Sequence, residues 1–166
     1  NGGFAGVFAQ ITDAYFQKFG DKSKYLSKIS AKNHKNGSVN PYAHMQVDLG
    51  YDFCNNISEK NPLVVSPLKR SDCSMISDGA AALIIADDDI AENAQQAIRF
   101  LSRVQTNDIL PMSKRDKTEF KGASISWQKA LNESKLTLND LSFVETHDCF
   151  TIAELIEYEA MGLTKR

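Results

Sequence analysis

Residues His147, Asp148 and Cys149 place an imidazole, a carboxylate and a thiol side by side, between the apolar run that ends at Val144 and the stripe Phe150, Ala153, Ile156 and Ala160. Ile152 and Leu155 widen that stripe, and Gly162 supplies a stop, so the spacing predicts a helix over residues 149–161. The first N–H groups of a helix are unpaired and its dipole favours negative charge, which makes such a junction a place for chemistry. There His147 can meet a substrate oxygen, Asp148 can cap the helix or orient its neighbours, and Cys149 can gain thiolate character. Plainer roles stand beside each: a capping or core-satisfied histidine, a capping aspartate, and a small cysteine buried next to Phe150. A Cys–His nucleophilic dyad needs two side chains face to face, which residues separated by one position at a turn seldom achieve. His147 with Cys149 also offers too few ligands for a metal, so no metal site is expected.

The elements that must position this junction follow from periodicity. Phe4, Val7, Phe8, Ile11, Ala14 and Tyr15 recur at steps of three and four, predicting a helix over residues 3–19 with Gly20 as its stop. A short helix is expected over 22–33, then an extended loop through the turn residues Asn36, Gly37, Asn40 and Pro41. Residues 64–68 read as a short strand limited by Pro62 and Pro67. The wholly apolar run Ala80 to Ala86, bounded by Gly79 and three aspartates, fits a strand buried on both faces. A short helix over 89–97, strands over 98–106 and 141–146, and a helix over 123–134 complete the reading. The class is α/β, but three strands make a thin sheet, and further strands from a partner chain or a longer polypeptide are expected to complete it.

Composition narrows the possibilities. The 166 residues suit one domain with a real core, since domains commonly run to about 100–150 residues. Apolar residues at 42% and charged residues at 24% are those of a soluble globular protein, and no transmembrane segment is expected. A net charge of −2 leaves no basic field for nucleic acid. Lys22 to Lys35, with five lysines and His34, and the basic stretch Lys114 to Lys121 read as solvated loops or as surfaces for the phosphates of a nucleotide-bearing substrate. Three cysteines without CxxC spacing suggest a reducing compartment rather than a disulfide framework. The start, without methionine and already inside an amphipathic pattern, suggests a piece of something longer.

The stretch SDCSMISDGAAALIIAD, followed downstream by WQKALNESKLTLNDLSFVE and then HDCFTIAELIEYEAMGL, resembles the middle of a thiolase. The likeness is to the sterol-carrier-protein type, in which HDCF stands where other thiolases have NEAF, and it extends over the whole chain. It implies part of a layered α/β/α fold with an inserted loop domain. Residues 1–75 would be a loop-domain-like segment, 76–97 the end of the N-terminal half, and 98–166 the start of the C-terminal half.

The resemblance also implies an activity. Thiolases cleave a 3-ketoacyl-CoA with a second CoA, or run the reverse Claisen condensation, through an acyl group held on a cysteine. That chemistry needs a thiolate, proton-moving groups and oriented donors for the thioester oxygen. The likeness puts His147 in the oxyanion-binding role, worth on the order of 3–4 kcal/mol of barrier. Ser74 falls along the pantetheine arm of CoA by the same likeness, although a turn serine bonding its own backbone is an equal reading. CoA is then a substrate, with no permanently bound cofactor, and a homo-oligomer, dimer or tetramer, is expected by analogy. Localisation would be cytoplasmic in a bacterium, mitochondrial or peroxisomal in a eukaryote. The family's nucleophilic cysteine, GHP histidine and CxG cysteine have no counterparts among residues 1–166, so this chain alone is expected to be inactive. The alternative is a non-catalytic thiolase-like module that binds CoA, lipid or a partner protein.

Overall fold

The computed structural model describes residues 2–165. Among these residues six α-helices, α1 (Gly3–Phe19), α2 (Ser23–Ser38), α3 (Gly50–Asn55), α4 (Asp88–Ala91), α5 (Lys121–Ser134) and α6 (Thr151–Ala160), accompany one antiparallel hairpin, β1 (Leu63–Val65) and β2 (Leu68–Lys69). No helix among the described residues is long and apolar enough to cross a membrane.

The core sits where α1, α2 and α6 close over the hairpin. Ile11 and Tyr15 from α1, Leu26 from α2, Leu68 from β2 and Ile152 and Ile156 from α6 are all buried in it. Phe150, just before α6, stacks on Phe8 of α1 with ring centroids 4.3 Å apart, a contact worth about 0.5–1.5 kcal/mol beyond the area it buries. Both α1 and α6 stop where expected, at Gly20 (φ +81°) and Gly162 (φ +76°), conformations that L side chains rarely adopt. The buried face of α1 is turned relative to the sequence pattern. Phe4 and Val7 are exposed, and Ala9, Thr12 and Tyr15 face inward with Ile11, because α6 and the hairpin cover only one side of the helix.

The hairpin replaces the single strand expected over 64–68. Its register shifts between Leu63 and Val65, and its turn runs through Ser66 and the cis-linked Pro67. After it, a 3-10 turn at Arg70–Asp72 buries Asp72. The Asp72 carboxylate accepts from the Lys69 backbone N–H at 2.9 Å and the Thr151 hydroxyl at 3.1 Å, and pairs with the Lys69 ammonium at 2.9 Å. A charge so enclosed is tolerated only when paired and hydrogen-bonded, and here three groups share that task.

Helix α2 is longer than the sequence suggested, continuing to Ser38 through Asn36 and Gly37, and α5 matches its expected range within two residues. The expected helix over 89–97 shrinks to the four residues of α4, capped by Asp87, whose carboxylate accepts from the Ile90 N–H at 3.1 Å.

The three remaining expected strands do not form. Residues 80–86, 98–106 and 141–146 carry no ladder, and Leu83, Ile84, Ile85, Ile98, Phe100 and Phe143 are exposed. A strand completes its backbone hydrogen bonds only on a neighbouring strand, and none lies beside these runs among the described residues. The result is a mostly helical packed body with a small sheet, compatible with part of an α/β domain.

Candidate functional site

The two motifs singled out in the sequence meet. An antiparallel bridge joins Cys73 to Phe150, and the Ser74 N–H donates to the Cys149 carbonyl at 3.0 Å. Apolar packing of Phe150 and Leu68 in one core brings these distant chain segments together. Beside the bridge lies a cavity of about 560 Å³, lined by Ser74 and Asp78, by Asp148 and Thr151, by Asn33 and His34 of α2, and by His44 of the loop that follows α2. A cleft of that size is in the range that holds a small-molecule ligand.

Ser74 is exposed at this cavity. His147 is exposed one residue away from its wall; among the described residues no hydrogen bond or ion pair involves it. The structure therefore gathers Ser74, Asp148 and the backbone of Cys149, and leaves the His147 ring at the margin, in solvent.

Asp148 is not a helix cap. The N-cap of α6 is Phe150, which has no side-chain cap bond. Asp148 instead accepts from the Asn33 side-chain amide, which also donates to Glu154 at 2.8 Å. Burial, and then the Glu154 charge, raise the Asp148 carboxyl above its ordinary value. Burial also pushes on Glu154, but the hydrogen bonds from Lys32, Tyr158 and Asn33 outweigh it and hold that carboxyl below its ordinary value. Lys32 donates to Glu154 and, at 3.0 Å, to the Tyr158 hydroxyl, so this network pins α2 to α6 directly behind the cavity. Glu157, one turn along α6, is pushed up to about 7 by burial and by the Glu154 and Asp148 charges.

Of the two readings of Cys149, the structure favours the small, partly buried cysteine over thiolate character. Cys149 precedes α6, and burial, with the Glu157 charge, raises its thiol. Burial likewise raises Cys54 and takes Cys73 to about 11. None of the three thiols is held below its ordinary value. Among the described residues no group of three or more His, Cys, Asp or Glu is placed to hold a metal ion.

Sequence reasoning did not find Asn33, Lys32, Thr151, Asp72 or Glu154. Glu154 carried the clearest signal, since it interrupts the apolar stripe of α6 and an acid there must find partners. Lys32, read as part of a basic run either solvated or turned to the phosphates of a substrate, has its charge committed to Glu154.

Residues 104–166 match the family model described as thiolase C-terminal domain-like. The chain is 31% identical to acetyl-CoA acetyltransferase of Methanocaldococcus jannaschii and 29% identical to that of Methanothermobacter thermautotrophicus, in each case over 98% of this chain and 42% of the relative. It is 33% identical to human sterol carrier protein 2 over 95% of this chain and 29% of that protein. The chain thus spans less than half the length of these curated relatives.

Proposed function

Because this chain belongs to the thiolase superfamily and is similar to its sterol-carrier-protein type, we propose that it forms the acyl-CoA-facing part of a thiolase-like acyltransferase. The observation that carries this reading is the Ser74–Cys149 backbone bond, which unites the SDCS and HDCF motifs at the edge of one cavity. In this role Ser74 hydrogen-bonds the pantetheine arm of CoA, and His147 offers its ring N–H to the thioester oxygen as that oxygen gains negative charge. Asp148, held by Asn33, fixes the turn on which His147 sits. The network behind it, Lys32 and Glu154, keeps α2 and α6 at a constant separation so that the cavity wall does not drift.

The raised thiols of Cys54, Cys73 and Cys149 support a nucleophile supplied from outside residues 1–166. The reaction is thiolytic cleavage of a 3-ketoacyl-CoA or its reverse, with CoA as substrate, in a homo-oligomer.

Steady-state thiolysis tests the reading. The 166-residue chain is expected to show none, whereas the product of the full reading frame, carrying a nucleophilic cysteine and a GHP histidine, is expected to turn over. In that product His147→Ala should lower kcat by about 100–1,000-fold with little change in melting temperature. A collapse of the melting temperature with unchanged specific activity would make His147 architectural. Activity in the isolated chain that is abolished by alkylating Cys54 would overturn the assignment. A reading frame without either motif would favour the non-catalytic CoA-, lipid- or partner-binding module, which the cavity could equally serve.

A further inference from the structure

Helix α2 carries its charge along one line. Lys24, Lys28 and Lys35 stand at helical steps of four and seven, all exposed, on the side away from the buried Leu26, Ser27 and Ser30. At 1.5 Å of rise per residue that line is about 16 Å long. Between Asp21 and Asp48 the chain has five lysines and no acid, although its net charge is −2. Lys32, on the flank of the line, is committed to Glu154, but among the described residues none of Lys22, Lys24, Lys28 and Lys35 is in an ion pair. Val39, the residue after α2, continues the same line and is 82% exposed, and Tyr42, which also lines the cavity, is 90% exposed. A built turn holds these two side chains out. The Asn40 side-chain oxygen accepts from the Tyr42 N–H at 3.0 Å, and the Asn40 carbonyl accepts from the Ala43 N–H at 3.1 Å and the Gln46 amide at 3.0 Å.

An apolar knob beside a row of uncommitted cations calls for an occupant that is both anionic and apolar. A nucleotide is held in a cleft, and none of these lysines lines the cavity beside the bridge. Single-stranded nucleic acid stacks its bases on open rings, whereas the Tyr25 ring on this helix is engaged by the Lys22 and Lys28 ammoniums, 5.6 and 5.5 Å from its centroid. Neither ligand has a use for Val39. A bilayer with anionic headgroups meets both demands, since its phosphates attract lysines spaced along a helix and its headgroup region accepts short apolar and tyrosine side chains. We propose that the outer face of α2, with the turn over residues 39–42, is a docking surface for an anionic phospholipid membrane. The association is peripheral and electrostatic, and it is independent of the reading of the cavity as a CoA site.

Co-sedimentation of the full reading-frame product with phosphatidylcholine vesicles, plain or containing about one third phosphatidylserine, tests it. Binding is expected to the anionic vesicles only, and should be released as salt approaches about 1 M, where charges are screened beyond about 3 Å. Replacing Lys24, Lys28 and Lys35 together by Gln should weaken binding about 100-fold, at about fivefold for each lysine near an anionic surface. Val39→Ser should weaken it about three- to tenfold. Replacing Lys114, Lys117 and Lys121 by Gln removes the same charge elsewhere and should leave most of the binding in place, with melting temperatures and thiolysis recorded for every variant. Absence of binding, equal binding to the plain vesicles, or an equal loss in the two triple variants would overturn the proposal. So would a preference for single-stranded RNA over vesicles with no effect of Val39→Ser, which would make the face a polyanion site. If the α2 variant keeps vesicle binding and loses affinity for CoA, the lysines serve the substrate nucleotide and the membrane assignment falls while the CoA site stands.

Discussion

Two parts of the molecule treat their apolar residues in opposite ways. Around the hairpin, Ile152 and Leu68 are 0% exposed and the buried charges Lys69, Asp72 and Glu154 have partners, as Asp72 has Lys69 and Thr151. Between Met75 and Leu110, by contrast, Ile84 is 95% and Ile98 94% exposed, although these residues are as apolar as those of the core. The difference lies in where backbone hydrogen bonds are found. A helix pairs its N–H and C=O groups within itself, so α1, α2 and α6 arrive complete and need only bury one face. A strand has no internal partners, and its side chains stay in solvent until a neighbour pairs with it.

This contrast can be broken at several points. The largest expected effect is that of Asp72→Ala, which strands a Lys69 ammonium with 5% of its side chain exposed and should cost about 3–5 kcal/mol, read from the denaturant midpoint. A loss below about 1 kcal/mol would mean that the ion pair is not sealed from water. Asn33→Ala removes donors from both Asp148 and Glu154 and should cost about 1–3 kcal/mol, since the α2–α6 seam then holds under-satisfied carboxylates. An unchanged midpoint would detach that network from the packed body.

The pH dependence comes next. Glu157 has a folded value of about 7 against an ordinary 4.5, so the folded chain keeps a proton that the unfolded chain releases. Its contribution is present in full below about pH 4.5 and is lost as pH rises through 7, and the raised Asp148 acts in the same direction. Glu154, held low, contributes oppositely, losing its share as pH falls below its ordinary range. Stability should therefore decline between about pH 5 and 7, and Glu157→Gln should flatten that decline in midpoints measured across the range. A decline of undiminished slope in the variant would assign it elsewhere. Smallest of all, Ile84→Ser should change stability by less than about 0.5 kcal/mol, because the side chain has no packing to lose. A cost comparable to that of a core residue would show that the extended stretch is packed in solution.

The helices were legible because their signals are local. Tyr15 and Ile11 at helical spacing, Gly20 and Gly162 as stops, and the stripe through Ile152 and Ile156 all describe surfaces that the same helix builds. Of the candidate site, the polar types and their order were legible, and so was the likeness that named Ser74 and His147. Less visible was α2 as a wall. Its sequence, SKYLSKISAKNHKNGS, looks solvated because the side it turns inward is made largely of small hydroxyls: Ser27 and Ser30 are buried beside Leu26 and Ile29, and the Ser30 hydroxyl donates to the Ser71 carbonyl at 2.6 Å.

By itself, then, the sequence determined that α1, α5 and α6 are helical, and it carried the likeness to thiolases. Only the tertiary structure decided that Ser74 is tied to the Cys149 backbone, that Asp148 answers to Asn33 rather than to its own helix, and that burial pushes all three thiols up. The physical reason is range. Helix periodicity and caps are written within a few residues of one another, whereas burial, charge pairing and strand pairing depend on groups that meet only after the chain has folded.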